Sequence, residues 1–223
     1  MVTAVHYLPI LTTILSVIFA ASLYRRWAAK RSTHLWWWAV GITTYGLGTA
    51  LESAITLGGN SVVLTKTWYI AGALLGGYPL AQGSLYLSWP RAFANRLTVA
   101  TVTFVAVAAV LVVLSPVNLD ALEPHRPSGA ILDWQWVRLL TPVINVYAVF
   151  FLIGGAIMSA WRHYRYRGHQ YRAAGNALIA LGAIMPGIGG SFAKAGYVEA
   201  LYIGECVGLM VIWLGDRVCS MER

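Results

Sequence analysis

The sequence is poor in charged residues, and this scarcity excludes most soluble folds. Of its 223 residues, 11% are charged and 58% are hydrophobic, with a formal net charge of +8. Soluble domains usually carry about 25% charged residues. Apolar stretches of about 20 residues, the length that a helix needs to cross a bilayer, recur along the chain. The basic residues occur in short clusters between these stretches, which predicts an integral membrane protein rather than a nucleic-acid-binding domain.

Cysteines, central histidines and catalytic motifs are also scarce. Cys206 and Cys219 lie in one predicted helix, roughly 20 Å apart at the α-helical rise, which is too far for a disulfide bond. No histidine falls in the middle of an apolar stretch, so a haem held by two axial histidines is not expected. The sequence contains no P-loop, zinc-protease motif or nucleophile elbow. We therefore expect no catalytic residue, no metal site and no cofactor.

The apolar stretches predict an all-α bundle of seven transmembrane helices that forms a single domain over residues 1–223. The predicted spans cover residues of about 7–24, 35–57, 67–89, 97–117, 138–161, 173–195 and 198–216. The first basic residues, Arg25 and Arg26, follow the first span, whereas a signal peptide carries its positive charge before the apolar run. This order places the N-terminus outside and the C-terminus in the cytoplasm.

The basic residues divide unequally between the two sides of such a bundle. One side receives four of them, namely Lys66, Arg126, Arg138 and Lys194. The other side receives twelve: Arg25, Arg26, Lys30, Arg31, Arg91, Arg96, Arg162, Arg165, Arg167, Arg172, Arg217 and Arg223. Loops with excess Lys and Arg face the cytoplasm, so the distribution supports an odd number of spans in a cell membrane, which for a bacterial protein is the inner membrane.

Small residues and prolines within the spans predict how the helices pack. Glycines are expected to allow close helix contacts at positions 72 and 76, at 182, 187, 189 and 190, and at 204 and 208. Pro79 and Pro186 lie near the middle of the third and sixth spans and are expected to kink them. The sequence does not distinguish a fixed kink from a hinge.

Two acidic residues, Glu52 and Glu205, lie within the predicted second and seventh spans. Ionisable groups inside a membrane are costly, so they are candidates for function. Both are predicted to lie about 7–11 Å below the outer end of their helix. Tyr45 and Thr49 share a helix face with Glu52, and Tyr202 shares one with Glu205.

We expect these residues to line a pocket that opens to the outside and binds a small or amphipathic molecule, such as a lipid. The predicted ligand-binding residues are Glu52, Glu205, Trp68, Tyr69, Tyr45, Thr49, Asn145 and Tyr202. Two other interpretations stay open. The acids are either neutralised in a structural network with Lys66, Lys194 or Arg138, or they form part of a proton or ion path.

Three segments resemble the seven-helix sensor module found at the N-terminus of some bacterial histidine kinases. Ala50-Leu51-Glu52 and the segment 66–72, KTWYIAG, are similar to its second and third helices, and the segment 182–186, GAIMP, is similar to its closing hairpin. The resemblance implies a receptor-like protein in which Glu52, Trp68 and Tyr69 belong to the sensing or structural core. No kinase domain follows in this sequence, so we expect a separate membrane or cytoplasmic protein to carry the output.

Other functions are compatible with the same pattern. An ion-coupled transporter would show discontinuous helices in equivalent positions of an internal repeat. A membrane enzyme would use Glu52 and Glu205 as an acid–base pair. A third alternative is a non-catalytic subunit of a larger membrane complex. A microbial rhodopsin is not expected, because the last span has no central lysine.

Overall fold

Helices make up nearly all of the described structure. The computed structural model describes residues 4–165 and 169–221, without the side chain of Lys194; Arg167 and Arg223 lie outside these residues. An isolated bridge, Val117–Leu132, is the one β-type pairing in the described ranges. The α-helices are α1 Leu8–Lys30, α2 Thr33–Gly58, α3 Val62–Trp68, α4 Tyr78–Ser88, α5 Arg91–Leu114, α6 Leu140–Ala148, α7 Gly155–Arg165, α8 Gln170–Lys194 and α9 Val198–Cys219.

Five helical segments are long and apolar enough to cross a membrane: Val5–Lys30, Arg91–Leu114, Gln135–Arg165, Gln170–Ala193 and Val198–Cys219. Their outward faces expose large aliphatic side chains, such as those of Val99 and Val146, which water would not favour. The chain is therefore a multi-pass membrane protein. Helix α2 is not among the five, because its Trp, Thr and Gly residues lower its mean hydropathy. The α3–α4 segment is not among them either, because it is interrupted.

The interruption changes the third predicted span, which was expected to be one helix over residues 67–89. Helix α3 continues as a π-helical segment, Tyr69–Leu74, and the chain then leaves the helical conformation before α4. Pro79 lies in the first turn of α4, where main-chain N–H groups make no hydrogen bond within the helix. The lack of an N–H group on proline therefore costs no hydrogen bond there. Pro79 therefore begins a helix instead of kinking one. A second π-helical segment, Val149–Gly154, lies between α6 and α7.

Helices α1 and α9 run parallel, and α2 runs antiparallel to both. Arg26, near the end of α1, pairs with Asp216, near the end of α9, at 2.5 Å. Thr13, early in α1, lies 2.9 Å from Thr49, late in α2, between their hydroxyl oxygens. We call the end of the bundle that carries the Arg26–Asp216 pair the basic end; Arg25, Lys30 and Arg217 lie there too. The opposite end, with Glu52, Glu199 and Glu205, is the acidic end.

The α8–α9 hairpin packs through glycine. A Cβ atom at Gly208 would lie 2.7 Å from the carbonyl oxygen of Gly182, and one at Gly189 would lie 2.6 Å from that of Ala200. The prediction of close packing is confirmed for these glycines and for Gly204. It is wrong for Gly187 and Gly190, which have open space at their Cβ positions. Pro186 lies inside α8, which continues on both sides of it.

The connection between α5 and α6 packs against the bundle. Ile131, Leu132 and Val137 lie in this connection and are buried in an apolar cluster with residues of α5 and of the α3–α4 segment. At the acidic end, Asn60 donates to the main-chain carbonyl oxygens of Glu123 and Arg126. These contacts fix the connection beside α3.

Candidate functional site

The candidate site is a pair of acidic side chains that meet between α2 and α9. Glu52 is 2% exposed, and its carboxyl group adjoins that of Glu205. The indole N–H of Trp68, at the end of α3, donates to Glu52 Oε1 at 2.8 Å. Three separate helices therefore supply the site, and the sequence-predicted proximity of Glu52, Glu205 and Trp68 is found in the structure.

Each acid keeps one oxygen without a hydrogen-bond partner. Oε2 of Glu52 and Oε2 of Glu205 are both shielded from solvent, and neither accepts a hydrogen bond from any described residue. Buried polar atoms in folded proteins are nearly always satisfied, because an unpaired one loses its hydration without compensation. Two such atoms on neighbouring carboxyl groups therefore indicate that the pair holds a shared proton or another cation.

No described basic side chain neutralises the pair. Lys66 donates instead to the carbonyl oxygens of Val113 and Ser115, at 2.8 and 2.7 Å. Arg138 donates to the side-chain oxygen of Gln135 at 2.6 Å. The interpretation as a salt-bridge network is therefore wrong for Lys66 and Arg138, because Lys66 contacts the C-terminal end of α5 and Arg138 contacts Gln135 in its own segment. The side chain of Lys194 lies outside the described residues.

Hydroxyl groups surround the acids and tie the helices together. The Tyr45 hydroxyl donates to the main-chain carbonyl oxygen of Glu205 at 2.9 Å. The hydroxyls of Thr56 and Tyr202 lie 3.0 Å apart, which joins α2 to α9 on the side of the pair nearer the acidic end. Thr49, one turn from Glu52, pairs with α1. Tyr45, Thr49 and Glu52, which were predicted to share one face of α2, thus face the bundle interior and are buried or half-buried.

Two of the predicted ligand-binding residues lie elsewhere. The Tyr69 hydroxyl pairs with that of Thr141 at 2.8 Å, in the cluster formed with the α5–α6 connection. Asn145 is exposed on α6. The structure therefore does not bring these two side chains to the acid pair. Tyr69 follows Trp68 in the chain but points to a different face, and depth along a helix does not specify which face meets the pocket.

Other buried polar groups were missed from the sequence. Gln82 is fully buried, donates to the hydroxyls of Tyr78 and Thr101, and accepts from Tyr147. Asp216 is 5% exposed and paired with Arg26. A polar amide and a carboxylate inside apolar stretches were the signals that could have identified them.

The chemistry available at the acid pair is that of cation capture. Two carboxyl groups at this distance cannot both hold a negative charge in a buried site unless a positive charge neutralises them. A proton, a metal cation or an organic cation would meet this requirement. The described residues contain no cluster of three or more His, Cys, Asp or Glu side chains that could hold a metal ion.

Comparisons with known proteins do not assign the chain to a family. Neither the family models, nor the curated proteins, nor the solved structures contain a significant match to it.

Proposed function

We propose that this protein is a receptor-like membrane protein that binds a small cationic molecule at the Glu52–Glu205 pair. One observation carries the proposal: the two buried carboxyl groups adjoin each other, each with an unpartnered oxygen, and the described structure offers them no base. A ligand with a protonated amine or a quaternary ammonium group supplies the missing charge. A proton occupies the pair when the ligand is absent.

Aromatic side chains beside the acids favour an organic cation. Trp68 contacts Glu52, Tyr45 contacts the main chain of Glu205, and Tyr202 lies one turn before Glu205 on α9. Aromatic faces attract cations through their quadrupole, most strongly for Trp and where water is excluded. Carboxylates combined with aromatic rings therefore form a suitable recognition surface for an amphipathic amine.

The proposed topology has seven spans, with the acidic end outside and the basic end in the cytoplasm. The unequal distribution of Lys and Arg supports it. Glu205 is half-buried and lies about 10 Å from the start of α9, close enough to the acidic end for a solute to reach it from outside. In a bacterial protein this arrangement corresponds to the inner membrane.

Trp68 provides a route from the binding site to the rest of the bundle. It is the last residue of α3, and the π-helical segment Tyr69–Leu74 begins directly after it. Single-turn π segments often occur at functional sites, where the helix register changes locally. A ligand that competes for Glu52 would release the Trp68 indole and thereby act on the α3–α4 interruption. A partner at the basic end would carry the output, as the sensor-module resemblance implies.

Ligand binding can be tested by the thermal unfolding of the detergent-purified protein. Choline and putrescine are the cationic probes, and acetate is the anionic control. A cation that binds the folded state raises Tm with concentration. We expect this rise in the native protein and in Glu199→Gln, a matched control on α9 outside the pair. It should be lost in Glu52→Gln and in Glu205→Gln. An equal rise in all four proteins, or no rise with either probe, contradicts the proposal.

Topology can be tested by cysteine labelling in intact cells. In a variant that lacks Cys206 and Cys219, we expect a membrane-impermeant maleimide to modify Glu123→Cys directly. Met221→Cys should react only after the membrane is permeabilised. The reverse pattern would show that the acidic end faces the cytoplasm.

An ion-coupled transporter is the second candidate, and the interruption between α3 and α4 favours it. Transporters bind their substrates at discontinuous helices near the bilayer midplane. Here the interruption follows the π-helical segment that begins directly after Trp68, and Trp68 contacts the acid pair, although α8 continues through Pro186 without a break. Proton uptake into proteoliposomes driven by choline or putrescine gradients, and abolished by Glu52→Gln, would favour transport over sensing.

A further inference from the structure

Helices α1 and α9 leave a groove of about 800 Å³ between them on the surface of the bundle. Its walls are apolar over most of their length, with Leu15, Ile18 and Ala21 on α1 and Met210 and Leu214 on α9. Ile18, Met210 and Leu214 are between 42% and 53% exposed, so no other part of the described chain covers them. The groove is open towards the lipid phase.

Two guanidinium groups line the same groove at its basic end. Arg25 comes from α1 and Arg217 from α9, and neither forms an ion pair with a described residue. The one acidic side chain that the described structure places at this end, Asp216, is already paired with Arg26. The groove therefore combines an apolar channel with two positive charges at one end that no acidic side chain of residues 4–165 or 169–221 compensates.

We infer that this groove binds an anionic phospholipid. Its phosphate group lies between Arg25 and Arg217, because guanidinium groups bind phosphate oxygens through charge-assisted hydrogen bonds. An acyl chain lies against the apolar walls, which extend about 15 Å along α1 from Arg25 to Leu15. Basic pockets between membrane helices are known to bind lipid head groups of this chemistry.

Charge makes a lipid the better occupant than a second copy of the chain. A second copy inserted in the same orientation would place its own basic end at the level of Arg25 and Arg217. Its one described acid at that level is held by Arg26. The contact would therefore bring like charges together, which is unfavourable. A phosphate group supplies the opposite charge at the required position.

Native mass spectrometry of the full chain in detergent can test the inference with phosphatidylglycerol and phosphatidylcholine as probes. We expect phosphatidylglycerol to bind more tightly than phosphatidylcholine. The double substitution Arg25→Gln/Arg217→Gln should weaken phosphatidylglycerol binding about 30-fold, since each basic residue contributes about 1 kcal/mol at an anionic surface. The matched control is Arg91→Gln/Arg96→Gln, which removes the same charge from exposed positions on α5, outside the groove. The affinity of this control for phosphatidylglycerol should stay within about threefold of that of the native protein. Its two arginines lie outside the groove, and the attraction between separated surface charges is screened beyond a Debye length.

A second variant, Ala21→Phe, fills the apolar channel and keeps both arginines. It should also lose phosphatidylglycerol binding, which separates an acyl-chain site from a site for free phosphate. Equal losses in the two double variants would overturn the inference, because they would indicate general surface attraction. Unchanged binding in Ala21→Phe, or protein dimers in place of lipid adducts, would overturn it as well.

Discussion

Arg26 and Asp216 form an ion pair of 2.5 Å between two helices that are far apart in the sequence. Asp216 is almost fully buried, and Arg26 is partly exposed. The pair fixes the basic ends of α1 and α9 against each other. The neighbouring Arg25 lies on the groove side and pairs with no acid in the described part of the chain, so adjacent arginines have different roles.

Removing the acid of this pair should destabilise the protein. We expect Asp216→Leu to lower the free energy of unfolding by about 2 kcal/mol, because it leaves Arg26 partly buried without its acceptor. The double variant Arg26→Met/Asp216→Leu should recover most of that loss. The measurement is equilibrium unfolding in mixed micelles. If the single and double variants are equally unstable, the loss of stability does not come from leaving Arg26 without its acceptor, and the prediction is wrong.

Neutralising one member of the acid pair should have the opposite effect. We expect Glu52→Gln to raise the free energy of unfolding in the absence of ligand by about 1 kcal/mol. The amide donates permanently to Glu205, whereas the native pair needs a bound proton for this hydrogen bond. Glu199→Gln, on the same helix as Glu205, should change it by less than about 0.5 kcal/mol. Because the two acids interact directly, the stabilisation in Glu52→Gln/Glu205→Gln should not equal the sum of the single effects. Additive effects would show that the carboxyl groups are independent.

The α8–α9 contact predicts that a glycine-to-alanine substitution has opposite effects on the free energy of unfolding at Gly208 and at Gly190. Gly208→Ala places a Cβ atom 2.7 Å from the Gly182 carbonyl oxygen, so the helices must separate. We expect a loss of about 2 kcal/mol in the free energy of unfolding. Gly190→Ala meets no atom within 4 Å and should stabilise α8 by about 0.5–1 kcal/mol through helix propensity. Similar results at both positions would contradict the packing described here.

We expect the buried amide of Gln82 to stabilise the protein through its hydrogen bonds to neighbouring hydroxyl groups. We expect Gln82→Leu to lower the free energy of unfolding by about 2 kcal/mol, because it leaves the Tyr147 and Tyr78 hydroxyls with fewer partners in a buried site. Tyr147→Phe added to Gln82→Leu should cost less than it does alone, since the hydroxyl it removes has already lost its acceptor. A double-mutant cycle measures this coupling, and a coupling of zero would contradict the network.

The acid pair was the part of the site that sequence reasoning located best. Glu52 and Glu205 are rare charges in apolar helices at matched depth, and helix periodicity placed Tyr45 and Thr49 beside the first of them. Asn145 and Tyr69 lie away from the pair, because depth along a helix does not specify the face on which a side chain lies. The rotation of each helix about its axis depends on packing against its neighbours, and a single sequence does not contain it.

The sequence by itself determined that this chain is a helical membrane protein, because the composition and spacing of its apolar stretches leave no alternative that satisfies the backbone in lipid. It also determined that two acids would be buried at one depth. Tertiary structure alone decided that Lys66 contacts the end of α5 and Arg138 contacts Gln135, so that neither of these described bases reaches Glu52 or Glu205. The physical reason is that long basic side chains can reach several acceptors, and only the packed helices determine which acceptor is within range.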